Sequence, residues 1–428
     1  MAKAKKVRYD GVGVFANGYL LSRVQNVTAD TDLGEDEARE LTNSEVVEYT
    51  SNNPQVSIQI ETNEYGSCRN IRAIAQVTGG SAADNITVNS FDGTSVDIGI
   101  MTQEDGVLAK TGIANDAFLT SISWNYDVGG VATESFSFET DNFTWYANTY
   151  KQVYSVMGYS PAQVGAEGSV LINVSGLGGT DATSTYKAIK LYIDGVAVTG
   201  ALTHSGFASD YSMVRFTDTN FSEVGSRYRV LIAATGGVLA TTIPQRTSTS
   251  NLGSITRGKL DIYLVSGAND AFAAGTNMLR LQSISVDADM SREVLNELGH
   301  YRAYDRSLTL PVPVNVTFST IASNLEEWAK FSIQSASITA SSYAITDFTS
   351  AKQAKLRVSI YDKNDTITDG SRSLKKTLTL SGLQIVSQSF GVDVGGNATQ
   401  DFGAKCSNFI VSGLGTPGKF PLLAAPTD

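Results

Sequence analysis

"DVGGVATESFSFETDNF" at residues 127–143 lies on "DVGGNATQDFGAKCSNF" at residues 393–409 without a gap, and 9 of 17 positions are identical. Unrelated segments of ordinary composition would share about one. The identities are Asp127, Val128, Gly129, Gly130, Ala132, Thr133, Phe136, Asn142 and Phe143, each with its counterpart 266 residues later. A second block lies upstream: "FANGYLLSRVQNVTADTDLGEDEAREL" (15–41) aligns with "FAAGTNMLRLQSISVDADMSREVLNEL" (272–298) at an offset of 257, with 9 of 27 identical. These identities include Arg23/Arg280, Gln25/Gln282, Asp30/Asp287, Asp32/Asp289 and Leu41/Leu298. Two blocks in the same order, with slightly different offsets, mean a duplicated domain with a longer loop in the second copy.

Each copy has the same grammar. An amphipathic strand ("SRVQNVT", "LRLQSISV") leads into a long polar stretch, and alternation resumes at "PQVSIQIET" and "VPVNVTFST". There Val56, Ile58 and Ile60, or Val314, Val316 and Phe318, share one face. The spacing then predicts a short helix in each copy, within "GSCRNIRAIAQV" and "ASNLEEWAKFSI", with Ser323 or Asn324 as N-cap of the second. The closing unit reads as a hairpin. Ile122, Trp124 and Tyr126 alternate into a turn at Gly129-Gly130, and Ala132, Phe136 and Phe138 alternate out. Glycine pairs at such places predict a tight turn with φ > 0; Gly395-Gly396, Phe402 and Phe409 repeat the pattern of Gly129-Gly130, Phe136 and Phe143.

Residues 151–256 match neither copy. Short strand-like runs punctuated by turns, with Asp194-Gly195 as a hairpin signal, suggest a small inserted β-sandwich of immunoglobulin type. The expected organisation is mainly β: a domain at 1–150, the insert at 151–256, the second copy at 257–413, and a C-terminal arm at 414–428. The arm, "GLGTPGKFPLLAAPTD", carries Phe420, Leu422 and Leu423, which favour docking on a neighbour.

Composition narrows the function. The chain has 428 residues, 42% hydrophobic, with 18 Tyr, 17 Phe and 39 Gly, which fits a folded β-rich protein. "MAKAKKVRYD" is followed by no apolar run, so neither a secretory signal nor a membrane span is expected. Cys68 and Cys406 sit in unrelated contexts, which argues against a disulfide or zinc site. His204 and His300 give no general acid–base constellation, so no catalytic residue and no cofactor are expected. A formal charge of −11 argues against a protein that grips nucleic acid by its phosphates. "GVGVFANG" (11–18) is glycine-rich but lacks the strand–helix context of a phosphate loop and reads as a turn. "DTDLGEDEARE" from Asp30 and "DADMSREVLNE" from Asp287 have the alternating carboxylates of a calcium loop but no well-placed bidentate Glu in both copies. A solvated acidic loop is the better reading.

The long segments 30–53 and 287–310 read as extended loops, and loops of that length usually mediate contacts. From Asp30 to Glu48 there are 8 acidic residues and one basic; from Asp287 to Arg306 there are 5 and 3. The expected contact residues are Asp30, Asp32, Glu35, Asp36, Glu37, Arg39 and Glu40 in the first copy, and Asp287, Asp289, Arg292, Glu293 and Glu297 in the second.

Over about two thirds of its length the chain resembles the tail tube proteins (major tail proteins) of tailed bacteriophages, in the branch with a duplicated tube domain. The resemblance is carried by the strand with Arg23/Arg280, the long loop after it, the alternating strand after Pro54/Pro311, the short helix with Ile71 or Trp328, and the "DVGG-AT" hairpin. It implies two tail-tube-like β-sandwich or half-barrel domains whose sheet joins neighbours around a ring into an inner β-barrel. The long segments would contact the adjacent ring, and stacked rings would form a hollow tube in the virion tail through which DNA passes without specific binding. It further implies three chains per ring with a pseudo-sixfold wall, tail-tip and tape-measure proteins as partners, and assembly in the host cytoplasm. A bulky inserted domain favours a non-contractile tail. The alternative is another β-rich structural or adhesion protein of a virion or cell surface.

Overall fold

The computed structural model describes residues 11–17, 19–39, 46–51, 55–76, 85–104, 107–141, 143–147, 255, 260–265, 276–277, 280–295, 305–321, 354–361, 374–392 and 397–413, together with seven strands between 154 and 234. The first copy comprises β1 (Val12–Ala16), β2 (Tyr19–Leu20), β3 (Val24–Asp32), β4 (Glu35–Arg39), β5 (Val46–Ser51), β6 (Gln55–Asn63), α1 (Arg69–Ile74), β7 (Ile86–Thr87), β8 (Ser95–Glu104), β9 (Val107–Asp127), β10 (Thr133–Thr140) and β11 (Phe143–Ala147). The middle segment carries β12 (Tyr154–Tyr159), β13 (Gly168–Asn173), β14 (Tyr186–Ile193), β15 (Val196–Val198), β16 (Thr203–Phe207), β17 (Met213–Asp218) and β18 (Arg227–Ala234). The second copy comprises β19 (Leu260–Val265), β20 (Thr276–Asn277), β21 (Leu281–Asp289), β22 (Arg292–Leu295), β23 (Asp305–Leu308), β24 (Val314–Ile321), β25 (Ala354–Tyr361), β26 (Leu374–Gly391), β27 (Thr399–Cys406) and β28 (Asn408–Gly413).

The protein is mainly β. Its backbone is a run of eight antiparallel strands, β3-β6-β10-β9-β21-β24-β27-β26. The first four strands repeat as the last four. A second set of pairings repeats too: β1–β8, β8–β9 and β9–β11 correspond to β19–β25, β25–β26 and β26–β28. The long strands β9 and β26 therefore run through both sets. Each has a β-bulge at the crossover, at Thr120 opposite Ser137/Phe138 and at Val386 opposite Gly403/Ala404, 266 residues apart. Bulges bend a strand and re-aim its ladder, which lets one strand serve two pairings.

The identities Arg23/Arg280 and Gln25/Gln282 have a structural cause. Both arginines are left-handed, with φ of 60° and 59°, which non-glycine residues adopt at a cost. Arg23 O accepts the Asn63 N–H at 3.0 Å and Arg280 O the Ile321 N–H at 3.1 Å, and each glutamine amide donates back to the same carbonyl. The pair thus builds a bulge at the start of β3 and of β21.

Period-two alternation fills one side of the sheet. Val56, Ile58, Ile60, Phe136, Phe138, Ile122, Trp124 and Tyr126 of the first copy, and Val314, Val316, Phe318, Ile284, Val286 and Phe402 of the second, are all buried in one continuous core. Helix α1 closes that side with Ile71 and Ile74, as the sequence predicts for the first copy. The helix expected within "ASNLEEWAKFSI", the C-terminal arm, Gly395, Gly396, Glu40, Glu297 and His300 lie outside the described residues. Ile255, at the far end of the middle segment, is buried in this core, where its N–H donates to Glu64 O and its carbonyl accepts from Ala132 N–H.

Two expectations change. The segments after Asp30 and Asp287 are not structureless: β4 pairs with β5, and β22 with β23, each forming a hairpin. The Gly129-Gly130 turn is not a tight one with φ > 0; a five-residue loop, 128–132, joins β9 to β10. Here the Asp127 carboxylate accepts the Gly129 N–H, and a Cβ on Gly129 would sit 3.2 Å from Asp127 Oδ1. Glycine suits that close approach, where a Cβ would crowd the Asp127 carboxylate, and is not there to supply a positive φ. The middle strands form a four-stranded sheet, β12-β18-β14-β15, and a three-stranded sheet, β13-β17-β16.

Candidate assembly interface

The two copies meet edge to edge. β9 pairs with β21 in the register Tyr126↔Ile284, Trp124↔Val286 and Ile122↔Ala288, and all six side chains are buried. Val128 N–H donates to Gln282 O at 2.9 Å, and Met290 N–H donates to the bulge carbonyl of Thr120 at 2.7 Å. These contacts fix the ladder phase: Trp124/Val286 and its core-facing neighbours are hydrogen-bonded pairs, while Ser123/Asp287 and Asn125/Ser285 are non-hydrogen-bonded pairs on the open face. The second layer joins as well, with β28 adding to β7 through Val411↔Ile86. Trp124 packs edge-on against Phe409 at 5.3 Å between ring centroids.

Charge reinforces this junction from below and above. In the core, Lys376 of the second copy, with no solvent exposure, donates to Glu64 Oε2 at 2.6 Å and Glu134 Oε1 at 3.0 Å. Glu134 also accepts the Trp124 indole N–H at 2.7 Å, and Glu64 Oε1 accepts the N–H groups of Tyr65 and Gly66. Burial pushes the Glu134 carboxyl up; burial alone would pull Lys376 down, but the two carboxylates hold it well above its ordinary value. Arg72, likewise fully buried, donates to Gly413 O at 2.8 Å. On the opposite side of the sheet, Arg292 of β22 lies over the Phe118 ring and donates to Leu119 O and Phe91 O, while Arg306 of β23, itself buried, pairs with Glu139 at 3.3 Å. The β22–β23 hairpin is thereby held on the first copy.

The outer strands of the eight-stranded run have the same edges without a partner. Among the described residues, β3 pairs only with β6, and the C-terminal half of β26 only with β27. Such edges present a row of unpaired backbone donors and acceptors. They also expose apolar side chains: Phe390 at 61%, Val392 at 65% and Val386 at 56% on and after β26, and Leu33 at 64% just after β3. Trp145 on β11, 48% exposed, stands where Val411 is fully buried on β28.

The side of the sheet opposite the core is polar and acidic. Asp30, Asp32, Asp127, Asp287, Asp289 and Asp401 are exposed there, with Lys405 the cation among them, and Ser, Thr, Asn and Gln fill most other positions. Of the residues predicted for contact, the structure places Asp30, Asp32, Asp287 and Asp289 on this face; partial burial raises the Asp287 carboxyl despite a hydrogen bond from Ser285. Glu35, Asp36, Glu37 and Arg39 lie along β4, and Glu293 lies beside Arg292 on β22. Phe136, Phe402 and Phe409 are core residues, and Phe143 packs against that core. Sequence reasoning missed Glu64, Glu134 and Lys376, whose spacing of up to 312 residues gives no local signal.

His204 lies on β16. Among the described residues no group of three His, Cys, Asp or Glu could hold a metal ion, and no helix is long and apolar enough to cross a membrane. Both cysteines are free and buried, with their thiols pushed up to about 11 at Cys68 and about 12 at Cys406. No protein-family model matches the chain, and no curated protein matches it.

Proposed function

We propose that the chain is the repeating subunit of a phage-type tail tube, polymerising as stacked rings into a hollow conduit for genome delivery. One observation carries the reading: two copies already join edge to edge into one sheet, and both ends of that sheet are unpaired among the described residues. A sheet that extends itself once inside the chain extends itself again between chains, and closure into a barrel removes the open edges. The two copies act as tail-tube-like half-barrels, the middle strands as an immunoglobulin-like insert outside the wall, and three chains give a ring with pseudo-sixfold symmetry. The acidic, small-residue face lines the lumen, where it repels phosphate and lets DNA slide. Tail-tip and tape-measure proteins are the partners of such a tube, in a virion whose tail is non-contractile.

Negative-stain electron microscopy of the purified chain at high concentration, with averaging of end-on views, tests this. Hollow rings with three outward lobes are expected. Dispersed monomers, even with crowding agent added, would move the function to another β-rich structural protein.

A further inference from the structure

The duplication predicts more than that the edges pair; it predicts how. Every residue of the internal junction has a counterpart on an open edge. "SISWNYD" (121–127) of β9 corresponds to "SQSFGVD" (387–393), and "SISVDADM" (283–290) of β21 corresponds to "NVTADTDL" (26–33). The matching is structural as well as sequential, since the bulge before each β9/β26 segment and the left-handed arginine before each β3/β21 segment recur at the same places. The most exposed apolar residues of the edges fall where the internal junction is dry. Phe390 stands for Trp124, Val392 for Tyr126 and Leu33 for Met290, all three buried at 2% or less.

We propose that residues 387–392 of one chain pair antiparallel with residues 27–32 of a second copy in a single register, Phe390↔Ala29, Gln388↔Thr31 and Val392↔Val27, with the Leu33 N–H donating to the Val386 bulge carbonyl. The proposal rests on the ring-subunit reading above and specifies its joint. The register puts Ser389 opposite Asp30 and Ser387 opposite Asp32 on the open face, so no like charges meet. An isologous β3–β3 pairing would bring carboxylates at 30 and 32 together across the ladder, which opposes it. Head-to-tail contacts of this kind propagate or close, whereas isologous ones stop at two.

Charge sets the order of copies. Inside the chain a hairpin with Arg292 and Arg306 rests on a sheet bearing Glu139. At the open joint the signs reverse: Lys405 stands for Glu139, Glu35 for Arg292, and the strands of the incoming hairpin carry Glu35, Asp36, Glu37 and Glu48 against a single cation, Arg39. The acidic hairpin suits the Lys405 strand of the second copy and is repelled by Glu139 of the first, so another chain's β3 does not displace β21 from β9.

Cysteine cross-linking tests the register. Ser389 and Asp30 are exposed and fall at a non-hydrogen-bonded site, where Cα atoms about 4.5 Å apart suit a disulfide. The native thiols are buried and protonated at neutral pH, so they do not compete. The double variant S389C/D30C, oxidised after assembly, is expected to give disulfide-linked multimers ending in a closed trimer. The slipped pair S389C/T31C and each single variant are expected to give less than a tenth of that yield. Rings by microscopy with cross-linking only in the slipped pair, or in one single variant, would overturn the register while leaving the ring. Neither rings nor cross-links would overturn both.

Discussion

The same strands meet twice in this molecule, once as a finished junction and once as two open edges, and the difference is where the charge is. At the β9–β21 junction Trp124 and Tyr126 are covered, and Lys376 sits between Glu64 and Glu134. At the open edges Phe390 and Val392 are exposed; Gln400 of β27 stands in place of Glu134, and the sequence has Ala322 where the first copy has Glu64. A buried carboxylate without its lysine costs several kcal/mol. The permanent junction tolerates carboxylates because Lys376 is always present in the same chain. On the proposed assembly, an edge that exists first without its partner carries neutral residues instead. On that reading the two copies have diverged toward a joint that is never open and a joint that waits for a second chain.

Removing the lysine should break the finished junction hardest. Lys376→Met leaves two buried carboxylates uncompensated and should lower unfolding free energy by about 3–5 kcal/mol, read from urea denaturation. Trp124→Ala and Phe390→Ala sharpen the comparison, because the residues are equivalent. The first should cost about 3–5 kcal/mol in the free chain, and the second no more than about 0.5 kcal/mol there. In assembly the ranking inverts. Phe390→Ala, folded normally, should raise the concentration needed for rings at least about tenfold, the effect of losing about 1.5 kcal/mol or more of side-chain burial per joint.

The smallest effect concerns pH. Glu134 holds its proton more tightly folded than unfolded, so it favours folding most below the ordinary carboxylate range, and that contribution is lost as pH rises through its folded value. Lys376 is also raised, and its contribution persists until pH exceeds its own elevated value. Glu134→Gln copies the residue found at position 400, keeps an acceptor for the Trp124 indole, and leaves Glu64 to face Lys376. It should change stability at neutral pH by about 1 kcal/mol or less and flatten the decline that sets in as pH rises above the ordinary carboxylate range. A steeper decline in the variant would mean that Glu134 is not the group responsible.

Much of this was legible in the sequence, for physical reasons that can be named. Alternation of Val56, Ile58 and Ile60 and of Ile122, Trp124 and Tyr126 reports burial on one sheet face, and the structure buries all six. The Arg23/Gln25 identities were legible as part of the repeat, but the bulge that they build shows only in the backbone pairing. Alternation says which residues share a face but not which strands are neighbours, so the meeting of β9 with β21 was invisible, and with it the Lys376 triad. The hairpins at β4–β5 and β22–β23 were missed because their few apolar residues do not alternate; Val46 and Val47 are adjacent, as are Val294 and Leu295, so no period-two face marks a strand. The turn at Gly129 was misjudged because a glycine pair signals either positive φ or close approach, and Asp127 made it the second.

Hydrogen exchange at the edge strands tests the central claim most directly. Peptides covering 384–392 and 24–32 should exchange quickly in the free chain, while 121–127 and 283–289 remain protected. On assembly both edge peptides should become protected to the level of the internal junction. Assembled particles in which the edge peptides still exchange as in the free chain would show that the tube is built on some other surface, and the equivalence of the two junctions would fail.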